Sequence, residues 1–489
     1  MTTTKFTKTV TELRGLTEKF PYPVYAVGGC VRDLISGIEP HDIDIVVEAP
    51  NGEQALTQYI KENFPEKIKN VVEAIKFHTN RFDLVLSDGT EEQIDCAMTR
   101  AEEYQEGTRK PSHLEYSETQ IDALRRDFTV NALYYDIKTN KVLDPTGRGQ
   151  EDLENRVLRT PLDPSTTFKE DSLRMMRAIR FKHSKGFSLS EEVISGIKES
   201  ASFIKTTSRE RITEEFTKIL LSDTPAEGII DLHTTGLLKY ILPEFDDFWG
   251  MTKSNIWSCI GLDPTTHCLD VLRGVTTMNA PLEVRLAALL LDIAPINSPQ
   301  IDYPESLRIE RFPLLYLDSN QELASAELAE DICLNRFKFS KEVAKKVSFL
   351  VKQHLIMRFV WDRKNGTYDG SDALTRMIAR TLGENLNDTM TLIEADNMAQ
   401  IPEERLVGQV EQFLNKLKTL KIADYSTPIV DGKEICQLLS IKPGKAVKLF
   451  QRVINLWRDE NPDLKKEDLP ALIKSRKYFS QELIDLLGC

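Results

Sequence analysis

Short runs of apolar and β-branched residues, alternating with polar ones, crowd the first 150 residues. YAVGG (25–29), DIDIVVE (42–48), FDLVLSD (82–88), QIDCAMT (93–99), NALYYD (131–136) and KVLDP (141–145) each predict a strand. SDGTEEQ (87–93) reads as a hairpin turn, and NGEQALTQYIKENFPE (51–66) has the spacing of an amphipathic helix. Beyond residue 150 the period changes. EDSLRMMRAIRF (170–181), RERITEEFTKILL (209–221), EVRLAALLLDIA (283–294), KEVAKKVSFLVKQHL (341–355) and VEQFLNKLKTL (410–420) all carry helical periodicity. The pattern predicts an α+β chain: a small mixed β-sheet domain first, then a long helical body. GLDPTT (261–266) and DSNQEL (318–323) are candidate joints.

At 489 residues the chain is too long for one core, which implies two to four domains. A content of 41% hydrophobic and 28% charged residues is that of a globular protein. The net charge of -13 excludes a generally basic nucleic-acid binder but leaves room for a local basic groove beside an acidic site. The 7 cysteines lack CxxC spacing and read as free thiols in a reducing cytosol. The polar start MTTTKFTKTVTELRG is no signal peptide, and no apolar run reaches membrane-spanning length. A cytoplasmic protein without a membrane partner is expected.

The densest chemistry lies in YAVGGCVRDLISGIEPHDIDIVV (25–47). Asp42 and Asp44 are two apart in a predicted strand, so their carboxylates share a face while Ile43 and Ile45 face a core. Such a pair can hold one or two Mg²⁺ ions, or can be a solvated sheet face. Gly28 and Gly29 end the preceding strand and open a helix that carries Arg32 and Asp33. Glycine lets backbone N–H groups approach a phosphate, the helix N-terminus favours anions, and Arg32 adds a charged donor. A phosphate cradle a dozen residues before an acid pair favours the metal reading. Asp95, in a later strand, either completes the acid set or is a solvated strand residue.

GGCVRD followed by DID resembles the head motif of the nucleotidyltransferase superfamily, and most closely that of the class II tRNA nucleotidyltransferase and bacterial poly(A) polymerase family. RRDFTVNALYYD (125–136) resembles that family's second motif, which contacts ribose and triphosphate. The resemblance assigns Arg126, Asp127 and Asn131, beside Arg125, to nucleotide binding. Taken alone, the residues read as a helix or strand cap with solvated arginines. LDPTGRGQEDLENRVLR (143–159) resembles the third motif and reads as a structural hinge, with Gly147 and Gly149 keeping its turn open.

In KEDSLRMMRAIRF (169–181), helical spacing puts Asp171, Arg174 and Arg177 near one face, with Met175, Met176, Ile179 and Phe181 toward a core. Without context, Asp171 and Arg174 are an ordinary intrahelical ion pair. In the resembled family this motif reads the incoming base. Cytosine and adenine both offer an amine beside an acceptor ring nitrogen, whereas uracil and guanine would set a carbonyl against the aspartate. The resemblance gives base reading to Asp171 and Arg174, support of Arg174 to Glu170 and triphosphate contact to Arg177. TTSRERITEEFTKIL (206–220) resembles a neck helix, with Ser208 as its cap and Arg211–Glu215 as an i,i+4 pair.

Residues 99–123 resemble the flexible loop of members able to add A, with Arg100, Glu103, Tyr104 and Arg109 at its polar and aromatic positions. THCLDVL and AALLLDIA resemble HD phosphohydrolase helices, with His267, Asp292 and His354 at ligand-like positions. Leu291 replaces a histidine, so a helical scaffold is expected rather than a second active site. Lys442, Lys445 and Lys448, around Pro443-Gly444, are either an RNA-backbone contact or a solvated helix face.

The resemblance implies a catalytic head (1–150), a helical neck with the base-reading motif (151–245), a degenerate HD-like body (246–400) and a tRNA-binding tail (401–489). It implies Mg²⁺-dependent addition of CMP and AMP, from CTP and ATP, at the 3′-CCA end of tRNA. Poly(A) synthesis, A-only or CC-only addition and a non-catalytic RNA-binding scaffold remain as alternatives. The sequence leaves the oligomeric state open.

Overall fold

The computed structural model describes residues 4–74, 78–104, 111–249, 263–294, 320–357, 360–362 and 365–477. The chain divides into two compact units, Met1–Asp247 and Phe248–Cys489.

The first unit opens with α1 (Lys5–Thr17), β1 (Val24–Val27), α2 (Gly29–Ile35), β2 (Ile43–Val47) and α3 (Gly52–Asn63). β3 (Ile68–Ala74), β4 (Thr79–Val85), β5 (Glu91–Met98), β6 (Arg100–Tyr104) and β7 (Pro111–Tyr116) follow. α4 (Thr119–Leu124), β8 (Tyr134–Asp136), β9 (Val142–Leu143) and α5 (Gly149–Glu154) complete the sheet region. Seven strands form one mixed sheet in the order β3-β4-β5-β2-β1-β8-β9. β2 and β5 run parallel and β1 pairs antiparallel with β2. The alternation read from the sequence is real. Ile43, Ile45, Phe82, Leu84, Ile94 and Cys96 are buried, and burial of each large side chain contributes roughly 1.5–3 kcal/mol.

Two segments differ from expectation. IKNVVEA (68–74) forms β3, which the sequence pattern did not single out because its polar face is mostly exposed. The segment expected as a loop over 99–123 is an antiparallel hairpin, β6 with β7, followed by α4. Glu103 and Tyr104 lie on β6, and Arg109 lies outside the described residues.

α6 (Pro164–Glu170), α7 (Leu173–Lys185), α8 (Glu191–Ser200), α9 (Arg209–Leu220), α10 (Pro225–Thr234) and the short α11 (Leu238–Ile241) and α12 (Pro243–Asp246) close the first unit. Met175, Met176, Ile179 and Phe181 of α7 are buried, as their spacing predicts. The hinge around Asp144 is structural. Its carboxylate accepts from Thr146 Oγ1 (2.8 Å), Gly147 N (3.1 Å) and Gln150 N (3.0 Å). Gly149 is there for close packing rather than for openness: a Cβ would lie 2.6 Å from the Thr129 carbonyl oxygen. Ser208 holds the N-cap position of α9, but its side chain makes no capping bond, contrary to expectation.

The second unit is helical: α13 (Pro264–Thr277), α14 (Leu282–Leu289), α15 (Asn320–Asp331), α16 (Lys341–Gln353), α17 (Asp372–Leu382), α18 (Leu386–Ala399), α19 (Gln409–Thr419), α20 (Gly432–Leu439), α21 (Lys445–Glu460) and α22 (Leu469–Ser475). One small antiparallel pair, Trp361–Asp362 with Thr367–Tyr368, interrupts it. Met377, Ile378 and Phe413 anchor one core of this unit, and Phe450, Ile454 and Trp457 another. Among the described residues, no helix is long and apolar enough to cross a membrane.

Candidate active site

β1 ends at Val27 and the chain turns into α2 at Gly28, whose φ of +75° is a left-handed value that glycine tolerates. A Cβ at Gly28 would lie 3.6 Å from Arg126 Nη1 and 4.0 Å from Asp44 Oδ2. Gly29 begins the helix beside the guanidinium of Arg32. Sheet register then gathers the acids: Val27 pairs with Asp44, and Asp44 pairs with Asp95. Asp42 stands one residue before β2 rather than within it, so the acid pair straddles the start of the strand. Both residues are solvent-exposed, and no hydrogen bond or salt bridge engages either carboxylate among the described residues. Although Asp44 reaches solvent, the chain around its carboxyl partly desolvates it and, with Asp95 and Asp42 beside it, lifts its pKa above the usual carboxylate range against the pull of Arg126 and Arg81. Asp95 differs from the pair: Arg81 Nε and Nη2 donate to its two oxygens at 2.7 and 2.9 Å.

From this acidic end a polar relay runs to α7. Arg32 Nη1 donates to Asn131 Oδ1 (2.6 Å), and Asn131 Nδ2 donates to Asp127 Oδ1 (2.9 Å). Arg177 Nε and Nη2 both donate to Asp127 Oδ2 (2.9 and 2.6 Å). Burial alone would lift the Asp127 carboxyl, but Arg177 and Asn131 hold it down, to about 2. Arg32 also binds its neighbour Asp33 (2.7 Å) and lies 5.1 Å over the Phe181 ring. Arg125 and Arg126 are not solvated caps. The fully buried Asp122 accepts from both, at 2.7 and 3.0 Å, and from the Tyr134 hydroxyl at 2.5 Å. Asp122 was not singled out by the sequence; its signal was an acid three and four residues ahead of an Arg-Arg pair.

The segment that the resemblance assigns to base reading departs from the expected continuous helix. α6 stops at Glu170, Asp171 is extended (φ -142°, ψ 100°), and α7 starts at Leu173. Asp171 Oδ1 instead accepts from the Leu173 backbone N–H (3.2 Å), the competition that makes aspartate favour helix ends. Asp171 therefore does not share a helix face with Arg174 and Arg177. Glu170 does hold Arg174, at 3.0 Å, and Arg174 Nη2 donates to the Arg125 carbonyl at 2.6 Å. The Arg211–Glu215 pair is corrected as well. Arg211 binds both oxygens of Asp171 (3.0 and 2.9 Å), while Glu215 accepts from Arg180 (2.6 Å). A half-buried bidentate pair outcompetes an i,i+4 contact worth a few tenths of a kcal/mol.

In the second unit, His267 Nε2 lies 2.9 Å from Asp396 Oδ1, a partner on α18 that the sequence pattern did not single out. His354 Nδ1 donates to the Val351 carbonyl (2.6 Å), and Leu291 is 1% exposed, packed in the core. Burial pushes the Asp292 carboxyl up, against the pull of His267 and His354. Among the described residues, no group of three or more His, Cys, Asp or Glu side chains is arranged to hold a metal ion. Lys442, Lys445 and Lys448 are exposed around the start of α21.

Residues 24–159 match the family model described as Poly A polymerase head domain, and residues 186–248 the one described as Probable RNA and SrmB- binding site of polymerase A. The chain is 27% identical to "tRNA nucleotidyltransferase cca1" of Schizosaccharomyces pombe, over 91% of this chain and 90% of that protein. It is 37% identical to the "CCA-adding enzyme" of a Geobacillus species, over 45% of this chain and 51% of that protein. The fold is that of the Bacillus stearothermophilus CCA-adding enzyme solved in complex with CTP, with a TM-score of 0.64 and 20% identity over 96% of this chain and 97% of the other. Residues 24–159 thus match a Poly A polymerase head domain, and most of the chain is similar to tRNA nucleotidyltransferases, the family that the motifs resemble.

Proposed function

We infer that this chain is a template-independent RNA nucleotidyltransferase that builds or repairs the 3′-CCA end of tRNA from CTP and ATP. The tRNA 3′-hydroxyl attacks the α-phosphate of the nucleotide, the bond to the β-phosphate breaks, and pyrophosphate leaves. Gly28, Gly29, Arg32, Arg126 and Arg177 take the triphosphate, and Asp127 and Asn131 take the ribose. Asp171 and Arg174 read the base, with Glu170 steadying Arg174. The hard oxygens of Asp42 and Asp44, unpartnered among the described residues, fit Mg²⁺, with Asp95 assisting. Bound there, Mg²⁺ supplies charge neutralisation for the phosphoryl oxygens and the attacking hydroxyl. The protein's own part is positioning: it holds the base and ribose in place and sets the attacking hydroxyl in line with the α–β bond that breaks.

The functional division we assign is a head to residue 150, a neck to 245, a scaffold body to 400 and a tail to 489. In the tail, Lys442, Lys445 and Lys448 meet the tRNA backbone. The compartment we assign is the cytoplasm, in keeping with five free cysteines among the described residues.

One observation carries the assignment: a hydrogen-bonded relay from Arg32, on the helix that the glycine turn opens beside Asp44, through Asn131 and Asp127 to Arg177 on α7. The test incubates the protein with Mg²⁺ and tRNA ending before CCA, after C, or after CC. CTP, ATP or both are added, and products are sized at one-nucleotide resolution. Addition of CCA and then a stop is expected. A long A tail would make it a poly(A) polymerase, A on the CC-ended tRNA alone an A-adding enzyme, and CC without A a CC-adding enzyme. No extension by folded protein would leave an RNA-binding scaffold.

A further inference from the structure

Of the three acids, only Asp95 is occupied. Arg81 on β4 stands in register opposite Asp95 on β5, which in turn stands beside Asp44 on β2. The arginine takes both Asp95 oxygens, and among the described residues Asp95 is its only hydrogen-bonding partner. Its side chain is 54% exposed, so it can swing away from that carboxylate into solvent. Like charges side by side on neighbouring strands repel, and Arg81 lies where it cancels the Asp95 charge next to Asp44. The same pairing commits both Asp95 oxygens to Arg81.

We propose that Arg81 is a positioning residue that competes with the divalent cation for Asp95: it pairs with Asp95 in the metal-free protein and releases it when the cation reaches Asp42 and Asp44. The inference rests on reading the three acids as a metal-binding set and is independent of which nucleotide or RNA is used. A bidentate guanidinium and a dication both satisfy a carboxylate's charge and lone pairs, so binding of one must weaken the other.

The test measures Mn²⁺ binding to the full chain without nucleotide or RNA, from the electron paramagnetic resonance signal of free Mn²⁺. Arg81→Gln is expected to bind Mn²⁺ about threefold or more tighter, the scale on which an exposed ion pair competes. Arg81→Lys should stay close to the parent. In an Asp95→Asn background, Arg81→Gln should tighten binding less than in the parent, leaving only the through-space pull of Arg81 on Asp44. Unchanged or weaker binding by folded Arg81→Gln would overturn the proposal, as would a tightening of equal size in the Asp95→Asn background. A second readout needs no loss of charge. The Arg81 Nε–H resonance of the parent chain, identified by its absence from Arg81→Lys, should shift as Mg²⁺ is added, and a resonance unmoved at saturation would count against release. Mn²⁺ competition without any tRNA extension would leave this inference standing and overturn the proposed function alone.

Discussion

The Asp42 and Asp44 carboxylates in the head reach solvent with no hydrogen bond or salt bridge among the described residues, whereas His267, Asp292 and Asp396 in the second unit are enclosed and close on one another. Both regions concentrate metal-ligating residue types. The difference lies in unspent bonding capacity. Exposed carboxylates with open lone pairs can take a cation from water, while a buried histidine bonded to an aspartate has already met its electrostatic need. Leu291 completes the contrast by placing hydrocarbon where another ligand would have to stand. Residue type nominates a site, and the partners that the fold supplies decide whether it remains available.

The largest effect that would break this comparison is in the head. Asp44→Asn should lower single-turnover nucleotide addition by about 10³-fold, the scale for losing a transition-state charge contact. The melting temperature should hold or rise, because Asp44 sits among like charges. Retained activity would remove the acid pair from the chemistry. Next, Asp127→Ala should destabilise the first unit by about 3 kcal/mol, since it strands Arg177 without its carboxylate. Urea unfolding followed by circular dichroism checks this. Asp171→Ala should leave Mg²⁺ dependence alone but relax base choice by about tenfold, measured as UTP and GTP against CTP and ATP incorporation. Unchanged selectivity would end the base-reading assignment.

The smallest effect is in the second unit. Burial works to lower the His267 pKa, but the Asp396 contact prevails and raises it, with Asp292 and Asp270 adding to the pull. A histidine whose folded value is raised contributes stability that is complete below its unfolded value, about 6.5, and is lost as pH rises through the folded value. The melting temperature should fall by about 2–4 °C across that rise. His267→Gln should flatten the dependence. Tryptophan fluorescence reads it selectively, because all four tryptophans, 249, 257, 361 and 457, belong to the second unit.

Much of the head was legible because its constraints are local. Glycine at a strand-to-helix turn, acids alternating with isoleucines and a helical stripe of methionines each follow from short-range geometry. What the sequence hid was pairing between distant elements. Arg211 lies 40 residues from Asp171, yet it binds it rather than Glu215, four residues away. Asp396, which satisfies His267, was invisible for the same reason, whereas Asp122, three and four residues ahead of Arg125 and Arg126, carried a local signal that was not singled out. Helical spacing nominates i,i+4 partners but says nothing about which neighbouring element offers a better one. The break at Asp171 failed differently: the apolar period runs on through it, and only the short-range appetite of its side chain for backbone N–H groups ends α6 there.

The pairing of Asp44 with Asp95 across two parallel strands also makes catalysis a proofreader of folding. A slip of β5 by one residue would turn Asp95 into the core and push Ile94 toward the acids, since side chains alternate with a period of two. Misregistered molecules would then be silent as well as unstable. The active fraction of a preparation, counted by titrating the three acids with Mn²⁺, would therefore report how many sheets had closed in the right register.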